Sequence, residues 1–291
     1  MNMENYCITT DSNSDLPSDL AQKYQTVIIP QYYAFGDDVY GDEKNMAPAD
    51  FYERMRKGAL PSSMANNPVV IRNKFEEILK QGMDILHIAF SSALSGSYNN
   101  VCVTAQELLE EYPERKIVVV DSLNVSLAET ILVIKANQLK DEGRSLTDNA
   151  AFLEEYKKHI NVQFTVDDLF HLKRGGRISG AVATVGTALN LKPFLSITAE
   201  GTLSSNGTVR GRKKSIRTLA ERMRDTLSDT PDLTVPVGIV HGNCMEDAKL
   251  AASYVKELTG IDNIIINDVS PSIGTHAGPG ALGILYYGIE K

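Results

Sequence analysis

The sequence is poor in cysteine, and its cysteines show no metal-binding spacing. Cys7, Cys102 and Cys244 are scattered through 291 residues, with no Cys-x-x-Cys pair. An odd and widely spaced set favours neither a disulfide framework nor a zinc site. We therefore expect no metal, and a reducing, cytoplasmic location.

Long apolar runs and an excess of positive charge are also lacking. No apolar stretch approaches the ~20 residues that span a bilayer, and the first residues lack the apolar core of a signal peptide. Lysine and arginine number 29 against 37 aspartate and glutamate, for a formal net charge of −8. These features predict no stable membrane anchor and no nucleic-acid partner. The short basic cluster Arg210–Lys214 is predicted to be a solvated helix start.

Two familiar catalytic motifs are absent. The sequence contains neither a Gly-x-Ser-x-Gly nucleophile elbow nor a Gly-x-x-x-x-Gly-Lys phosphate loop. Phosphoryl transfer also needs acidic magnesium ligands beside the phosphates. A binding role needs only hydrogen-bond donors, so the candidate sites are first assessed for binding.

The chain is long enough for two domains, and strands alternate with helices through its first half. The predicted strands are Tyr6–Thr10, Val27–Pro30, Ile85–Phe90, Lys116–Asp121, Gln163–Val166, Pro193–Thr198, Val235–His241 and Asn263–Val269. The predicted helices are one begun by Pro17, Pro48–Lys57, Val69–Gln81, Val101–Tyr112, Leu127–Lys140, Leu146–His159, Leu169–Lys173, Thr184–Leu191, Gly211–Leu227 and Asp247–Leu258. The pattern predicts an α/β fold of two domains. Residues 1–160 form an N-terminal α/β/α layer with a parallel sheet and a hairpin-like excursion near 31–45, and residues 161–291 form a C-terminal α+β layer with a mixed sheet.

A run of small polar residues between a predicted strand and a predicted helix is the main candidate site. The run Ser91–Ser97 places hydroxyls and free backbone N–H groups at a helix start, which suits an anion. Asp11-Ser12 and Asp121-Ser122 follow two other predicted parallel strands. Ligands of such folds bind at the carboxyl ends of the strands, so we expect the three turns to converge on one crevice.

Two further segments carry polar residues with more than one interpretation. The loop 61–68 is explained by Asn66 or Asn67 capping the helix that Pro68 begins. Arg177 follows paired glycines, and its guanidinium can clamp a carboxylate or a phosphate. A salt bridge at a domain interface explains Arg177 equally well.

The histidines are predicted to differ in role. His276 lies in a glycine-rich segment, Gly274–Gly280, which is predicted to be a rigid turn with exposed backbone. His87 lies inside an apolar run and is predicted to be a satisfied core residue. His241 ends a predicted strand, and its role is left open between structure and function. Surface positions are predicted for His159 and His171.

These segments, in this order, resemble the DegV family of bacterial fatty-acid-binding proteins. The matching segments are Asp11–Pro17, Ser91–Tyr98 with Ser97 for the family's threonine, Leu172–Ile178, Leu189–Pro193, Arg210–Ser215 and Gly274–Gly280. The resemblance covers almost the whole chain. One departure is at Ser63-Met64-Ala65-Asn66, where Ser63 replaces the threonine of the family's Thr-Ser-x-Pro-Ser segment and the proline is absent.

The resemblance implies that one long-chain fatty acid, such as palmitate, is held between two α/β domains with its acyl chain in an apolar tunnel. It implies that the carboxylate meets Ser63, Ser95, Gly96, Arg177 and His276, with Met64, Ser92 and Thr275 as additional candidates. No cofactor beyond the lipid is implied. The resemblance also implies that the chain is not itself an enzyme, but a carrier that presents the lipid to a separate ATP-dependent fatty-acid kinase.

Two alternatives remain open on the residues alone. Ser95 and His276 are suited to an enzyme acting on a small acyl or phosphoryl substrate, although no elbow surrounds Ser95. A regulatory module, for which the lipid is a signal rather than a substrate, needs the same binding residues.

Overall fold

The computed structural model of the chain describes residues 5–167, 169–178 and 190–291. The strands are Tyr6–Asp11 (β1), Val27–Ile29 (β2), Tyr32–Phe35 (β3), Asp38–Tyr40 (β4), Ser62–Met64 (β5), Asp84–Ala89 (β6), Ile117–Asp121 (β7), Ile160–Thr165 (β8), Leu191–Ile197 (β9), Leu203–Arg210 (β10), Val237–His241 (β11), Ile264–Asp268 (β12) and Leu282–Tyr287 (β13). The helices are Ser18–Tyr24 (α1), Pro48–Arg56 (α2), Pro68–Lys80 (α3), Ser97–Glu111 (α4), Leu127–Asp141 (α5), Leu146–Tyr156 (α6), Phe170–Arg174 (α7), Arg212–Asp225 (α8), Met245–Thr259 (α9) and Pro271–Ala277 (α10).

The first sheet is parallel and has helices on both faces. Its strand order is β2-β1-β6-β7. On one face, Phe75 of α3 and Leu108 of α4 share a buried cluster with Ile85. On the other face, Ile131 of α5 lies in a cluster with Leu86. Because both faces are covered, the strands are nearly continuous apolar runs, and the predicted parallel layer is confirmed.

Helix α5 lies between the two large sheets. It contacts β1 and β6 on one side and β8, β11 and β13 on the other. Leu127, Ile131 and Leu132 are all buried, as expected of a helix that is covered on both sides. The closest approach is at Gly238, where a Cβ would lie 2.7 Å from Cβ of Leu127.

The second sheet is mixed, in the order β10-β9-β8-β13-β11-β12. Strands β11 and β12 run parallel, and the other neighbours are antiparallel. Ile216 of α8 and Val255 of α9 pack on one face with Ile284. Since side chains alternate along a strand, Gly283 and Leu285 belong to the opposite face. The predicted α/β class with a parallel and a mixed sheet is confirmed, while the division at residues 160 and 161 stays a prediction.

The excursion predicted near 31–45 is a hairpin of β3 and β4. A third strand, β5, pairs with β3 and places Ser63 opposite Tyr33. The prediction of a loop over 61–68 is therefore wrong in its first half. Ser-Ser-Met has little intrinsic strand propensity, so pairing with β3 makes it a strand.

Several other elements differ from the sequence prediction. Strands β10 and β13 have no predicted counterpart. Leu191 was predicted to end a helix, but it begins β9 and pairs with Arg210. Residues 184–189 of that predicted helix lie outside the described residues. In the ranges that the structure describes, no helix combines the length and the apolar character needed to cross a bilayer.

The basic cluster is only partly solvated. Arg210 ends β10, and Lys213 and Lys214 are exposed. Arg212, the first residue of α8, donates hydrogen bonds to Asp247 at 2.9 Å and to the carbonyl of Gly280 at 2.7 Å. The prediction of a solvated helix start is therefore wrong for Arg212, which ties α8 to α9 and to the turn before β13.

Candidate functional site

A cavity of about 200 Å³ lies between the two large sheets. Residues that follow β1, β6 and β7, namely Asn13, Phe90 and Val125, form one side of it. Side chains of the second sheet form the other side, among them Val162 and Leu285. The cavity thus lies at the carboxyl ends of the parallel strands, as expected for a fold of this class.

Most of the predicted site residues line this one cavity. They are Ser63, Met64, Ser95, Gly96, Arg177 and His276. Ser92 and Thr275 are not part of the wall. Ser92 is exposed, and its backbone N–H donates to Asp121 at 3.2 Å. Thr275 is buried, and its hydroxyl donates to the carbonyl of Pro271 one helical turn earlier at 3.0 Å.

His276 lies on a short helix and not in a turn as predicted. Pro271 occupies the first turn of α10, and the helix ends at Gly278, whose φ of 77° suits glycine. The prediction missed this helix because glycines at both ends of the segment indicated a turn. The helix places Nε2 of His276 2.7 Å from Oγ of Ser63 on β5.

The His276 imidazole is neutral at physiological pH. Burial, followed by the charges of Arg177 and Arg174, lowers its pKa to about 4. A neutral ring either donates to Ser63 or accepts from it, depending on the tautomer. Its Nδ1 has no hydrogen-bond partner among the described residues, so no carboxylate orients the ring as in a catalytic triad.

Arg177 is held in the wall by backbone carbonyls. Its Nε donates to the carbonyl of Leu94 at 3.1 Å, and its Nη1 donates to the carbonyl of Gly175 at 2.5 Å. A Cβ on Gly175 would overlap Nδ1 of His276. The glycine therefore allows Arg177 and His276 to approach the same part of the cavity.

Ser95 belongs to a hydrogen-bonded network at the start of α4. Its Oγ lies 2.8 Å from Oγ of Ser97 and accepts a hydrogen bond from the Ser97 N–H at 3.2 Å. Ser97 donates in turn to Oε1 of Gln31 at 2.7 Å. Helix α4 begins at Ser97, one turn before the predicted start at Val101, with Gly96 as its N-cap residue.

The three polar turns meet as predicted. Asp11 accepts hydrogen bonds from the N–H groups of Asn13 at 3.0 Å and Phe90 at 2.9 Å. The second and third turns are joined by the Ser92–Asp121 hydrogen bond. Burial raises the pKa of Asp11 to about 7. A buried carboxyl therefore lies directly behind the polar loops.

Two more buried carboxyls lie near Asp11. Asp15 accepts from the Ser126 hydroxyl and from the Ser270 N–H, and burial raises its pKa to about 7. Burial also raises the pKa of Glu129 well above the ordinary value, and its Oε1 accepts from Thr10 at 2.6 Å. No group of three or more histidine, cysteine, aspartate or glutamate residues in the described ranges is arranged to hold a metal ion.

The remaining histidines are all buried or half-buried. His87 is a core residue as predicted, with Nδ1 2.8 Å from Oγ1 of Thr9, and burial lowers its pKa to about 3. His241 is buried, with Nδ1 3.2 Å from Asp268. His159 and His171, predicted at the surface, are half-buried.

Sequence reasoning missed several polar residues in or beside the cavity wall, of which Asn13, Gln31, Ser126 and Ser272 line it. Gln31 and Asn66 bond to Ser97, and Arg174 donates to the carbonyl of Pro61 at 2.6 Å. The available signal was weak, since Gln31 is an isolated polar residue after a strand. Asn67 rather than Asn66 caps α3, by accepting from the Val69 N–H at 2.9 Å.

A glycine pattern near the C-terminus also needs a structural explanation. Gly278–Gly283 has the spacing Gly-x-Gly-x-x-Gly of dinucleotide-binding loops. In this chain the pattern leads into strand β13 instead of opening a helix. The helix N-terminus that would receive a pyrophosphate is therefore missing from this match.

Comparison with known proteins gives a consistent result along the chain. The model of the family described as "Uncharacterised protein, DegV family" matches residues 5–288. A DegV domain-containing protein from Clostridium perfringens is 35% identical over 291 residues, which cover 99% of each chain. A DegV domain-containing protein from Lactococcus lactis is 33% identical over 280 residues, covering 95% of this chain and 96% of the relative.

Solved structures show the same fold. A DegV family protein from Thermus thermophilus, described for its fatty acid binding, is 29% identical with a TM-score of 0.85, over 98% of this chain and 100% of that one. DegV from Bacillus subtilis, described as a fatty acid binding protein, is 28% identical with a TM-score of 0.84, over 98% and 100%. The family match over nearly the whole chain, with relatives above 30% identity at almost full coverage, shows that the chain belongs to the DegV family.

Proposed function

We propose that this protein binds a long-chain fatty acid, with the carboxylate among Ser63, Ser95, Arg177 and His276 and the acyl chain in the cavity between the sheets. The observation that carries the proposal is one cavity whose wall has hydroxyls and a guanidinium in one part and apolar side chains elsewhere. The solved relatives from T. thermophilus and B. subtilis, both described as binding fatty acids, support it.

The polar part of the wall meets the requirements of a carboxylate. Burying an unpaired carboxylate is costly, so several donors must face it. Arg177 provides the positive charge, because His276 is neutral. The hydroxyls of Ser63 and Ser95 add short, neutral hydrogen-bonding groups, and Gly96 at the start of α4 contributes the partial positive charge of a helix N-terminus.

The apolar part of the wall provides the surface on which the acyl chain of the fatty acid is buried. Burial of each methylene group stabilises the complex by about 0.8 kcal/mol, so a long chain binds tightly even when its head group is weakly paired. The wall offers such surface from both sheets, through Phe90, Val162, Phe164, Val240, Leu282 and Leu285.

We further propose that the chain presents its fatty acid to a separate ATP-dependent kinase, which forms the acyl phosphate. Two observations support this role. The sequence has no phosphate loop of its own. Gly96 and Met64, beside the proposed carboxylate position, are exposed, so a partner can reach this end of the cavity.

Mass spectrometry of protein purified from a bacterial host tests lipid binding. A C14–C18 fatty acid should be released on denaturation, and delipidated protein should bind palmitate with micromolar or tighter affinity. Protein that carries no lipid and binds none contradicts the proposal. A serine-reactive probe separates the enzyme alternative, because labelling of Ser95 that depends on His276 favours catalysis.

The kinase role is tested by affinity purification from a native host followed by incubation with ATP. We expect co-purification of an ATP-binding protein and ATP-dependent conversion of bound palmitate to an acyl phosphate, trapped with hydroxylamine. Recovery of the lipid-loaded chain without any such partner, and without conversion by host extract, contradicts it.

A further inference from the structure

The hydrogen bonds around Ser97 have a definite direction. A hydroxyl has one proton and two lone pairs. The Ser97 proton goes to Oε1 of Gln31 at 2.7 Å, because an amide oxygen only accepts. One lone pair of Ser97 accepts a hydrogen bond from the Asn66 N–H at 3.4 Å, and the other faces the Ser95 hydroxyl at 2.8 Å. Ser97 has no proton left for Ser95, so Ser95 is the donor between the two hydroxyls.

The orientation of the Gln31 amide follows from Asp11. Gln31 is 3% exposed and lines the cavity. Its Nε2 is buried and has no hydrogen bond of good geometry among the described residues, and the Gln31 side chain lies near the Asp11 carboxyl, where it offsets only a part of the rise in pKa that burial causes. Both oxygens of Asp11 already act as acceptors, from the N–H groups of Asn13 and Phe90, which places the donating amide nitrogen of Gln31 towards Asp11 and the amide oxygen towards Ser97.

The direction of these hydrogen bonds decides whether Ser95 presents a donor or an acceptor to the cavity. The Ser95 proton points to Ser97, and one of its lone pairs accepts the Ser97 N–H at 3.2 Å. The remaining lone pair is free for a molecule in the cavity. A carboxylate, which only accepts, must compete with Ser97 for the Ser95 proton. A hydroxyl head group, by contrast, donates to Ser95 without disturbing the hydrogen bonds among Ser95, Ser97 and Gln31.

We propose that Gln31 is a positioning residue of the head-group site: it holds the Ser95 proton away from the cavity and so sets the preference between a carboxylate and a neutral hydroxyl head group. This inference rests on the proposed fatty-acid function and deepens it. Gln31 acts through Ser97 and Ser95. Removal of its acceptor oxygen therefore strengthens carboxylate binding instead of weakening it.

The test compares palmitate and hexadecanol on delipidated full-length protein by calorimetry. In Gln31→Leu, the Ser97 proton turns to Ser95 and frees the Ser95 proton for the ligand. We expect palmitate to bind about tenfold more tightly, which is the size of one net hydrogen bond, and the affinity for hexadecanol to change little, because its hydroxyl can either donate to Ser95 or accept from it.

Three variants control the interpretation. Gln31→Glu keeps an acceptor for Ser97 but adds negative charge. It should therefore lower the affinity for palmitate and leave the affinity for hexadecanol unchanged. Ser97→Ala frees Ser95 directly and should shift the ratio in the same direction as Gln31→Leu, with little further change in the double variant. Gln22→Leu, at an exposed position of α1, should change neither affinity.

Each contrary outcome is distinct. Equal weakening of both lipids by Gln31→Leu, with an unchanged thermal midpoint, shows a packing role and overturns the inference. If Gln31→Leu binds palmitate more weakly but hexadecanol with unchanged affinity, Gln31 donates to the carboxylate, and the inference is also overturned. If Gln31→Leu does not fold, an unchanged ratio of palmitate to hexadecanol affinity in Ser97→Ala overturns the inference instead. Wild-type protein that binds neither lipid refutes the fatty-acid proposal itself, and the inference with it.

Discussion

His276 contributes a hydrogen-bond partner to the cavity and Arg177 contributes the charge. The imidazole is buried beside two guanidinium groups, and its pKa of about 4 keeps it neutral at physiological pH. The Arg177 side chain, by contrast, remains charged in any protein environment. Two residues that look alike in a sequence as candidate cations thus have different roles, and the difference follows from burial and from their mutual proximity.

Substitution of Arg177 by alanine should separate these roles. We expect palmitate to bind about tenfold to a hundredfold more weakly, because hydrogen bonds to charged groups are worth about 1.5–3 kcal/mol. Hexadecanol, which carries no charge, should lose much less. Calorimetric titration of both lipids measures this difference. Arg72→Ala, which removes a surface ion pair with Glu111, is the control. Equal loss for both lipids would mean that Arg177 serves only to hold Leu94 and Gly175.

The buried carboxyls predict how stability changes with pH. Asp11 and Asp15 have a pKa of about 7 in the folded chain, against 3.8 for an unperturbed aspartate. Between these values the folded chain binds more protons than the unfolded chain. Their contribution to the free energy of unfolding is therefore largest at low pH and is lost as the pH rises from about 4 to about 7.

Asp15→Asn tests this dependence because asparagine does not titrate. Urea unfolding at several pH values should show that the difference in unfolding free energy between the variant and the wild type shifts in favour of the variant as the pH rises towards 7. The comparison of variants matters, because Asp232, with a pKa lowered to about 2, changes stability in the opposite sense in both proteins. A difference that does not vary with pH would contradict the raised pKa.

At the scale of elements, two short segments bring the polar residues together. Strand β5 carries Ser63 and helix α10 carries His276, and these residues are 213 positions apart in the sequence. Helix α7 packs against α10 and ends at Gly175. A glycine is required there because any side chain would overlap the His276 ring.

Gly175→Ala should therefore disturb both binding and folding. The new methyl group displaces the His276 ring from Ser63, so we expect palmitate affinity to fall about tenfold and the free energy of unfolding by about 1–3 kcal/mol. Gly176→Ala is the matched control, since its Cβ would meet nothing within 4 Å, although its φ of +69° adds backbone strain. If both variants lose stability alike and neither loses affinity, the contact with His276 is unimportant for binding.

At the scale of the whole molecule, the cavity lies between the two large sheets, which both contact α5. The carboxyl ends of the parallel sheet meet the face of the mixed sheet, and Gly283 lies between its register neighbours Val240 and Phe164 on that face. All three line the cavity. If the proposed fatty acid occupies the cavity, these side chains set the length of acyl chain that fits.

Val162→Phe should shorten the accepted chain. The larger ring points into the cavity and takes the place of several methylene groups, each worth about 0.8 kcal/mol. Mass spectrometry after loading with an equimolar mixture of fatty acids should show a shift towards shorter chains. Val103→Phe, on the exposed face of α4, should leave the distribution unchanged. An unchanged distribution in Val162→Phe would place the tail elsewhere.

The sequence predicted most of the fold and six of the residues that line the cavity. Long periodic segments such as α5 and β7 were located to within a residue or two, because burial imposes their apolar pattern. Strand β5 and helix α10 were missed, since Ser-Ser-Met has no strand propensity of its own and Gly274 argues against a helix. Gln31 was missed because one polar residue after a strand carries no motif.

Local sequence by itself determined the alternation of strands and helices, the parallel first sheet, the glycines at sharp turns and the chemical types of the candidate residues. Only the tertiary structure decided which of them share a cavity, that Ser92 and Thr275 do not, and that His276 is neutral. The physical reason is that propensity and apolar periodicity act between residues close in the chain. Hydrogen-bond partners, burial and pKa depend on residues such as Ser63 and His276 that only the packed fold brings together.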